Sequence, residues 1–549
     1  MRRWFAVLGA LNLLLFALHA GLSWVQAGAA GYAERPFGQV VFYNALGERV
    51  AEIAGRVAPG LLAGATSTTA DPRRVSNPEY VPPERADQLR TAKRHLAYSI
   101  GGDLIGPTFF IEAYLVPLVL VTLITLGAVI MVARTPLGSD PRTPVTVLRW
   151  ATAFVVVMGL AMPVLVPDFW LSFAWGRTLW WGGNPYYNVP AAAVQGLPFD
   201  APILKMTYGP LWAAIAWAVA AMTRGSVLWG TVVFKVLLSA AWVALLHVTY
   251  RLTSDRAPRE RAIAMLMLGW LPLGAVQVGG DGHNDVFMLL GIMGWLYLRQ
   301  RGRARLGTLA LALSVAIKYV SAPLFLLDVL ATTVPGVPRP TLLQQVRAYL
   351  PRGFLAAAIW VICFAPFVRS PSFFAETTAV REGYFFLPAD AVKAFGTMLG
   401  VSLRPLALLV MGIFPLVTMA TVWAYWRSRT TALLYQAVAG IMLSVLFVAA
   451  GHVWPWYVLW LAAPAALLAS ESRLGRWSTG VLLTAPFPLL YWTAYPHSTE
   501  FRRYQLPSLA AYGLALVWMA VAWRVLRPAG APAGAADRGL GVTSVSAAT

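Results

Sequence analysis

Residues 251–305 read RLTSDRAPRERAIAMLMLGWLPLGAVQVGGDGHNDVFMLLGIMGWLYLRQRGRAR, and their layout sets the architecture. Two apolar runs, Ala262 to Val278 and Phe287 to Leu298, flank the polar turn Gly279-Gly280-Asp281-Gly282-His283-Asn284-Asp285. Arg251, Arg256, Arg259 and Arg261 stand before the first run, and Arg299, Arg301, Arg303 and Arg305 after the second. Short loops rich in arginine stay on the cytoplasmic side of a bilayer. The two runs therefore read as one helix going out and one returning, with the histidine turn at the external surface.

The same pattern extends over the chain. Of 549 residues, 58% are hydrophobic and only 12% are Asp, Glu, Lys or Arg, about half the charged share of a soluble domain. Disorder, a collagen-like fibre and a disulfide scaffold are excluded. The single cysteine, Cys363, sits in an apolar run and reads as an inert core residue. The net charge of +20 collects in short loops between apolar runs, so it reports topology rather than a nucleic-acid partner.

A crossing takes about 20 apolar residues. On that measure Trp4 to Gln26 is a retained helix behind a cytoplasmic N-terminus, residues 27–106 lie outside, and Pro107 to Val132 returns. Val147 to Leu165 goes out to an external segment running from Pro167 to Met206. The helix opened by Tyr208-Gly209-Pro210-Leu211 ends near Met222, too short to span, and is expected to lie along or dip into the outer leaflet. Val227 to Tyr250 spans. Leu306 to Leu330 is too short for two crossings and reads as a broken hairpin with Lys318 near its turn. Later runs are Phe354 to Phe367, Pro405 to Trp426, Leu433 to Ala450, Leu459 to Ala469, Trp477 to Trp492 and Ser508 to Val525, with Arg369 to Lys393 external. The expected fold is an all-α polytopic transmembrane bundle of about 12–14 membrane helices. It divides into an N-terminal helix pair with its external loop (residues 1–146), a membrane catalytic bundle (147–527) and a disordered cytoplasmic tail (528–549).

Under this topology the unusual polar residues collect on one side. Asp168, Arg177, Asn184, Tyr186, Tyr187, Tyr208, His283, Asn284, Asp285, Lys318 and His452 all map to the outer face or its leaflet. Charged side chains near hydrocarbon are costly and usually face a cavity or a partner. Each has a bland reading: an interfacial aromatic belt for the Asp168 to Tyr186 loop, a helix cap for His283, snorkelling for Lys318, a belt for His452 with Trp454 and Tyr457. His19 and His247 show no partner in the sequence and read as structural. Together the outer residues suggest a sugar and phosphate site, with aromatic faces for sugar rings, Arg177 and Lys318 for phosphate, and Asp168 as proton acceptor. Two carboxylates and one histidine in a single turn make a poor metal site. A transporter or lipid flippase would also place polar groups in a helical bundle, but near its midplane and reachable from both sides. A non-catalytic membrane scaffold would use the aromatic loop only as an anchor.

In the order Asp168, Gly182-Gly183-Asn184-Pro185-Tyr186, Tyr208-Gly209-Pro210-Leu211, Gly282-His283-Asn284-Asp285 and Ala316-Ile317-Lys318-Tyr319, the chain resembles the GT-C superfamily of integral-membrane glycosyltransferases. Within it, the resemblance is to the bacterial polyprenol-phosphate-mannose-dependent α-mannosyltransferases, and it covers roughly Val147 to Leu330. It implies a multi-pass cell-membrane enzyme with cytoplasmic termini, moving mannose on the external face from a polyprenol-phosphate donor to a glycolipid or polysaccharide acceptor. It also makes Asp168 the general base. The chemistry agrees: phosphate is a good leaving group, so one carboxylate at the acceptor hydroxyl and cations at the phosphate suffice, with inversion at the anomeric carbon. Arg177, Lys318 and His283 are then the phosphate candidates. Asn184, Tyr186, Tyr208, Asn284, Asp285, His452 and Tyr457 are the sugar or acceptor candidates. No Gly-rich nucleotide motif is present, consistent with a lipid donor. Asp168 has no adjacent acidic partner, so no cofactor is expected and a divalent metal is not favoured.

Overall fold

A computed structural model describes residues 2–29, 107–163, 168–194, 197, 205–369, 387–449, 454–470, 472–484 and 506–526. Residues 30–106, expected to form an external loop, most of the segment from Arg369 to Lys393, His452 and the C-terminal tail lie outside the described residues.

The described residues form an all-helical bundle. Helix α1 (Arg2–Ala29) packs on α2 (Pro107–Arg134) and on α3 (Thr143–Gly159). Helix α4 (Asp168–Trp180) lies against α5 (Pro210–Met222), and α6 (Val227–Leu252) follows. Ser226 caps α6 by accepting from the Trp229 amide at 3.3 Å. Next come α7 (Pro258–Gly269), α8 (Asp285–Gln300) and α9 (Ala304–Ile317), the last two a tightly packed antiparallel pair. Short α10 (Phe325–Leu330) leads to α11 (Leu342–Phe364), and α12 (Pro388–Met398), α13 (Arg404–Ser428) and α14 (Thr431–Ser444) follow. Helices α15 (Ala462–Leu468), α16 (Arg473–Thr484) and α17 (Leu506–Val525) close the described chain.

Among the described residues six helices are long and apolar enough to cross a membrane, and seven if the bent pair of α7 with Pro272–Gly280 counts as one span. The expected 12–14 is met only when the shorter apolar helices, such as α3, α5 and α9, are counted with them. Helices α11 and α13 carry many exposed leucines, among them Leu342, Leu343, Leu350, Leu408 and Leu409. That is how a lipid-facing surface is composed, because hydrocarbon rewards no polar group there. Helix α7 is the opposite: Ala262 through Leu268 are all buried, which places it at the centre of the bundle.

Two expected helices depart from straight spans for stated reasons. The run from Ala262 to Val278 bends by 44° where Pro272 follows Trp270-Leu271, since proline cannot continue the backbone ladder. It then loosens into a π-helical turn, Ala275–Gly280. The run from Leu306 to Leu330 breaks as expected: α9 stops at Ile317, Lys318 is extended (φ −149, ψ 117), and a 3₁₀ turn, Tyr319–Leu324, sends the chain back.

Candidate active site

Asp168 opens α4 and is a partly accessible member of a largely buried polar cluster, with 15% of its side chain exposed. The chain leading to it is anchored by α1. Ser23 Oγ accepts from the Met162 amide at 2.8 Å, and Trp24 Nε1 donates to the Leu160 carbonyl at 2.8 Å. Trp170 Nε1, two residues past Asp168, donates to the Pro163 carbonyl at 3.1 Å. These bonds fix both sides of the segment that delivers the carboxylate.

Two groups meet Asp168 Oδ2. The Tyr208 hydroxyl donates to it at 3.1 Å, and His283 Nδ1 stands 3.4 Å away. Burial pushes the Asp168 carboxyl up, yet the His283 ring, Lys318 and the Tyr208 hydroxyl together more than offset this, and it sits below its ordinary value. It is therefore ionised and able to accept a proton at neutral pH. Burial, then the neighbouring Asp168 charge, hold the Tyr208 phenol well above its ordinary value, so it remains a neutral donor.

The histidine turn is shaped by glycine. Gly282 is left-handed (φ 79) and a Cβ there would stand 2.3 Å from the Phe169 ring, next to Asp168, so only glycine lets the two segments close. Lys235 of α6 reaches the open carbonyls of the π-helical turn, those of Gly279 and, at 2.5 Å, Gly280. The His283 ring stacks on Trp456 with centroids 4.9 Å apart, and Trp456 stacks on Trp454 at 5.1 Å. Among the described residues the side-chain amide of Asn284, both ring nitrogens of His283 and Asp285 Oδ2 are buried without a hydrogen bond. Adjacent unspent polar atoms of this kind are rare in a finished core and suit a ligand.

Lys318 enters from the break after α9. Its Nζ donates to Asp285 Oδ1 at 2.6 Å, and Trp460 Nε1 donates to the same oxygen. The ammonium lies over the rings of Tyr208 (4.8 Å), Tyr457 (4.9 Å) and Trp460 (5.5 Å). Gly209 makes this approach possible: its amide donates to the Ile317 carbonyl at 2.8 Å, and a Cβ there would stand 2.1 Å from the Ala316 oxygen. The Tyr208 carbonyl accepts from Tyr186 at 2.8 Å and from Tyr319 at 3.2 Å, which locks the Tyr208 backbone in place.

The structure thus joins Asp168, Tyr208, His283, Asn284, Asp285, Lys318 and Tyr457 into one cluster. Three of the sequence candidates stand elsewhere. Arg177 is nine residues along α4, about 13 Å from Asp168 at the helical rise. Its guanidinium donates to the carbonyls of Gly225 (2.7 and 3.0 Å) and Ala193 (3.3 Å), where it braces the backbone. Asn184 likewise turns inward, donating to the Phe367 carbonyl at 2.8 Å and accepting from the Tyr186 amide at 3.1 Å. Tyr186 gives its hydroxyl to the Tyr208 carbonyl, so both side chains are engaged in holding the wall of the site. His452 lies outside the described residues. Lys318 is in place, though already paired with a carboxylate that local sequence did not show. Reading the sequence did not single out Lys235, Trp456 or Trp460. The first carried a signal, being the one lysine in the apolar run of α6; the two tryptophans carried none, because their partners, His283 and Asp285 of the histidine turn, are distant in sequence. No group of three or more His, Cys, Asp or Glu among the described residues is arranged to hold a metal ion.

Comparison with known proteins bears on residues 102–334, which match the family described as alpha-(1->6)-mannopyranosyltransferase, N-terminal domain. That stretch includes Asp168, Tyr208, His283, Asp285 and Lys318, and leaves out α1 and the tryptophans after Trp454. Alpha-(1->6)-mannopyranosyltransferase A of Mycobacterium tuberculosis is 25% identical over 347 residues, 57% of this chain and 63% of that protein. The alignment thus covers a little under two-thirds of the relative's length. No solved structure matches the chain. The resemblance to the membrane mannosyltransferases, drawn from ordered motifs, is supported by both findings.

Proposed function

We propose that the chain is a membrane α-mannosyltransferase that moves a mannosyl residue from a polyprenol-phosphate donor to an acceptor hydroxyl. The observation that carries this is a single ionised, partly accessible carboxylate, Asp168, held between a phenol and an imidazole beside a caged lysine. Asp168 takes the proton of the acceptor hydroxyl as its oxygen bonds to the anomeric carbon. The bond from that carbon to the phosphate oxygen breaks on the opposite side, and the polyprenol phosphate leaves with the electron pair. One displacement inverts the anomeric centre.

The donor phosphate falls to His283 and Lys318 rather than Arg177, since Arg177 is committed at the far end of α4. The unspent Asn284 amide and Asp285 Oδ2 face the sugar hydroxyls, with Trp456 and Tyr457 as apolar walls. No step is given to a metal. The arginine-rich loops after α8 stand at the end of the bundle away from Asp285, which supports a site on the non-cytoplasmic side and a glycolipid or polysaccharide acceptor there. The cluster gathers at helix ends, at the start of α4 and α8 and the close of α9, whereas a transporter or flippase would hold it at mid-helix.

The deciding test is Asp168→Asn in the full-length, detergent-purified chain, assayed with polyprenol-phosphate mannose and read by mass spectrometry. Turnover is expected to fall by about 10²–10⁴-fold with donor binding retained. Unchanged turnover would remove Asp168 as base, and transfer from a nucleotide sugar alone would remove the lipid donor.

A further inference from the structure

At the opposite end of the α8–α9 pair, about 21 Å along α8 from Asp285, lies a second polar cluster. Asp328 of α10 is fully buried there. Its Oδ1 accepts from Trp295 Nε1 at 2.8 Å and faces Arg299 Nη1 at 3.5 Å, and its Oδ2 accepts from Thr308 at 2.6 Å. Arg299 also donates to the Ala331 carbonyl. Arg352 of α11 donates to Thr332 Oγ1 at 2.6 Å, and Gln345 of α11 donates to the carbonyls of Leu330 (2.6 Å) and Thr332 (3.1 Å). Arg429, just past α13, donates to Gln345 Oε1 at 3.2 Å and to the Trp426 carbonyl at 2.9 Å.

Charge does not balance in this cluster. Arg299 and Arg305 are near enough to act electrostatically on Arg352, and Arg299 on Arg429, while among the described residues Asp328 is the carboxylate that acts on Arg352. Donors do not balance either. A guanidinium carries five N–H groups, yet Arg352, 8% exposed, spends one, on a neutral hydroxyl. The Tyr349 hydroxyl, equally buried and under the Arg352 guanidinium (5.1 Å to the ring), lies near Asp328 and Thr308 but makes no hydrogen bond of ordinary length among the described residues. Beside them, Leu342, Leu343, Val346 and Leu350 leave the same helix exposed and apolar.

We propose that this end of the bundle is a second anion site, built for the phosphate of an anionic membrane lipid. Phosphate oxygens would take the unspent donors of Arg352 and the Tyr349 hydroxyl and would neutralise the excess cations. The apolar strip on α11 commits the site to a lipid rather than a soluble anion, because it offers acyl chains a surface next to the headgroup. The site does not share a residue with the Asp168 cluster, so it stands or falls independently of the proposed reaction.

The test uses the full chain in detergent, titrated with phosphatidylglycerol, phosphatidylcholine or inorganic phosphate and followed by native mass spectrometry and thermal unfolding. Phosphatidylglycerol is expected to be retained and to raise the unfolding temperature, and the other two are not. Tyr349→Phe removes a hydroxyl that makes no hydrogen bond of ordinary length among the described residues; its unfolding temperature without lipid is expected to match wild type, and its affinity for phosphatidylglycerol to fall by about tenfold, one hydrogen bond to a charged group. Arg429→Gln is expected to lower the preference for phosphatidylglycerol over phosphatidylcholine. Folded Tyr349→Phe and Arg429→Gln proteins that keep wild-type affinity would overturn the site, and equal stabilisation by inorganic phosphate would overturn its assignment to lipid.

Discussion

Replacing Tyr208 with Phe removes one hydroxyl and leaves its surroundings in place. The ring still lies 4.8 Å from Lys318 Nζ, and the backbone carbonyl still accepts from Tyr186 and Tyr319. What goes is the donor 3.1 Å from Asp168 Oδ2. A hydrogen bond to a charged group contributes about 1.5–3 kcal/mol, and about 1.4 kcal/mol corresponds to one pH unit, so the upper bound is about two units. The 3.1 Å separation is long for a hydroxyl on a carboxylate, and Asp168 keeps 15% of its side chain exposed, which brings the expectation to about half to one unit. The sign follows from the cause. The phenol favours the ionised carboxyl, so without it the Asp168 pKa rises and the base is protonated over a wider acidic range. The acid limb of kcat/KM against pH, which reports the free enzyme, should therefore move to higher pH by that amount. The limb should move in the same direction in His283→Gln. A limb that stays put in Tyr208→Phe would mean that the titrating base is not Asp168.

Lys318→Met leaves Asp285 fully buried with only Trp460 as donor, and a loss of about 3–5 kcal/mol is expected in thermal or denaturant unfolding. The double variant with Asp285→Asn should recover a good part of it, since no uncompensated charge remains. Arg177→Gln strands the carbonyls of Gly225 and Ala193, at about 1–3 kcal/mol for each buried group left unpaired. Stability should fall while the KM for the lipid donor in the folded fraction is unchanged; a raised KM would restore Arg177 as a phosphate ligand. Ser23→Ala frees the Met162 amide ahead of Asp168, and a severalfold drop in kcat at constant donor KM is expected, measured by initial rates.

Much of this protein was legible in the sequence, for one physical reason. Hydrocarbon penalises every charge and every unpaired backbone group, so crossings, loops and breaks are written into local composition. The out-and-back pair around His283, the shortness of the helix after Pro210 and the break at Lys318 all came from that constraint, and each is present in the structure. So did the suspicion that Asp168, His283 and Lys318 belong together, because all three map to one side of the membrane. The bend at Pro272 was within reach and was missed, since an apolar run looks the same straight or broken.

Which polar atoms meet was decided by tertiary packing alone. Asp168 finds Tyr208 and His283 because Gly282 lets the histidine turn close on Phe169, and Lys318 finds Asp285 because Gly209 lets the chain press on Ala316. Those approaches join segments separated by tens to hundreds of residues. Arg177 shows the other side of this: its side alone made it a phosphate candidate, and only the position of the Gly225 carbonyl turned it into a brace. Composition fixes how deep a residue sits in the membrane, whereas its neighbours at that depth depend on how helices pack around it, and local sequence carries no record of that.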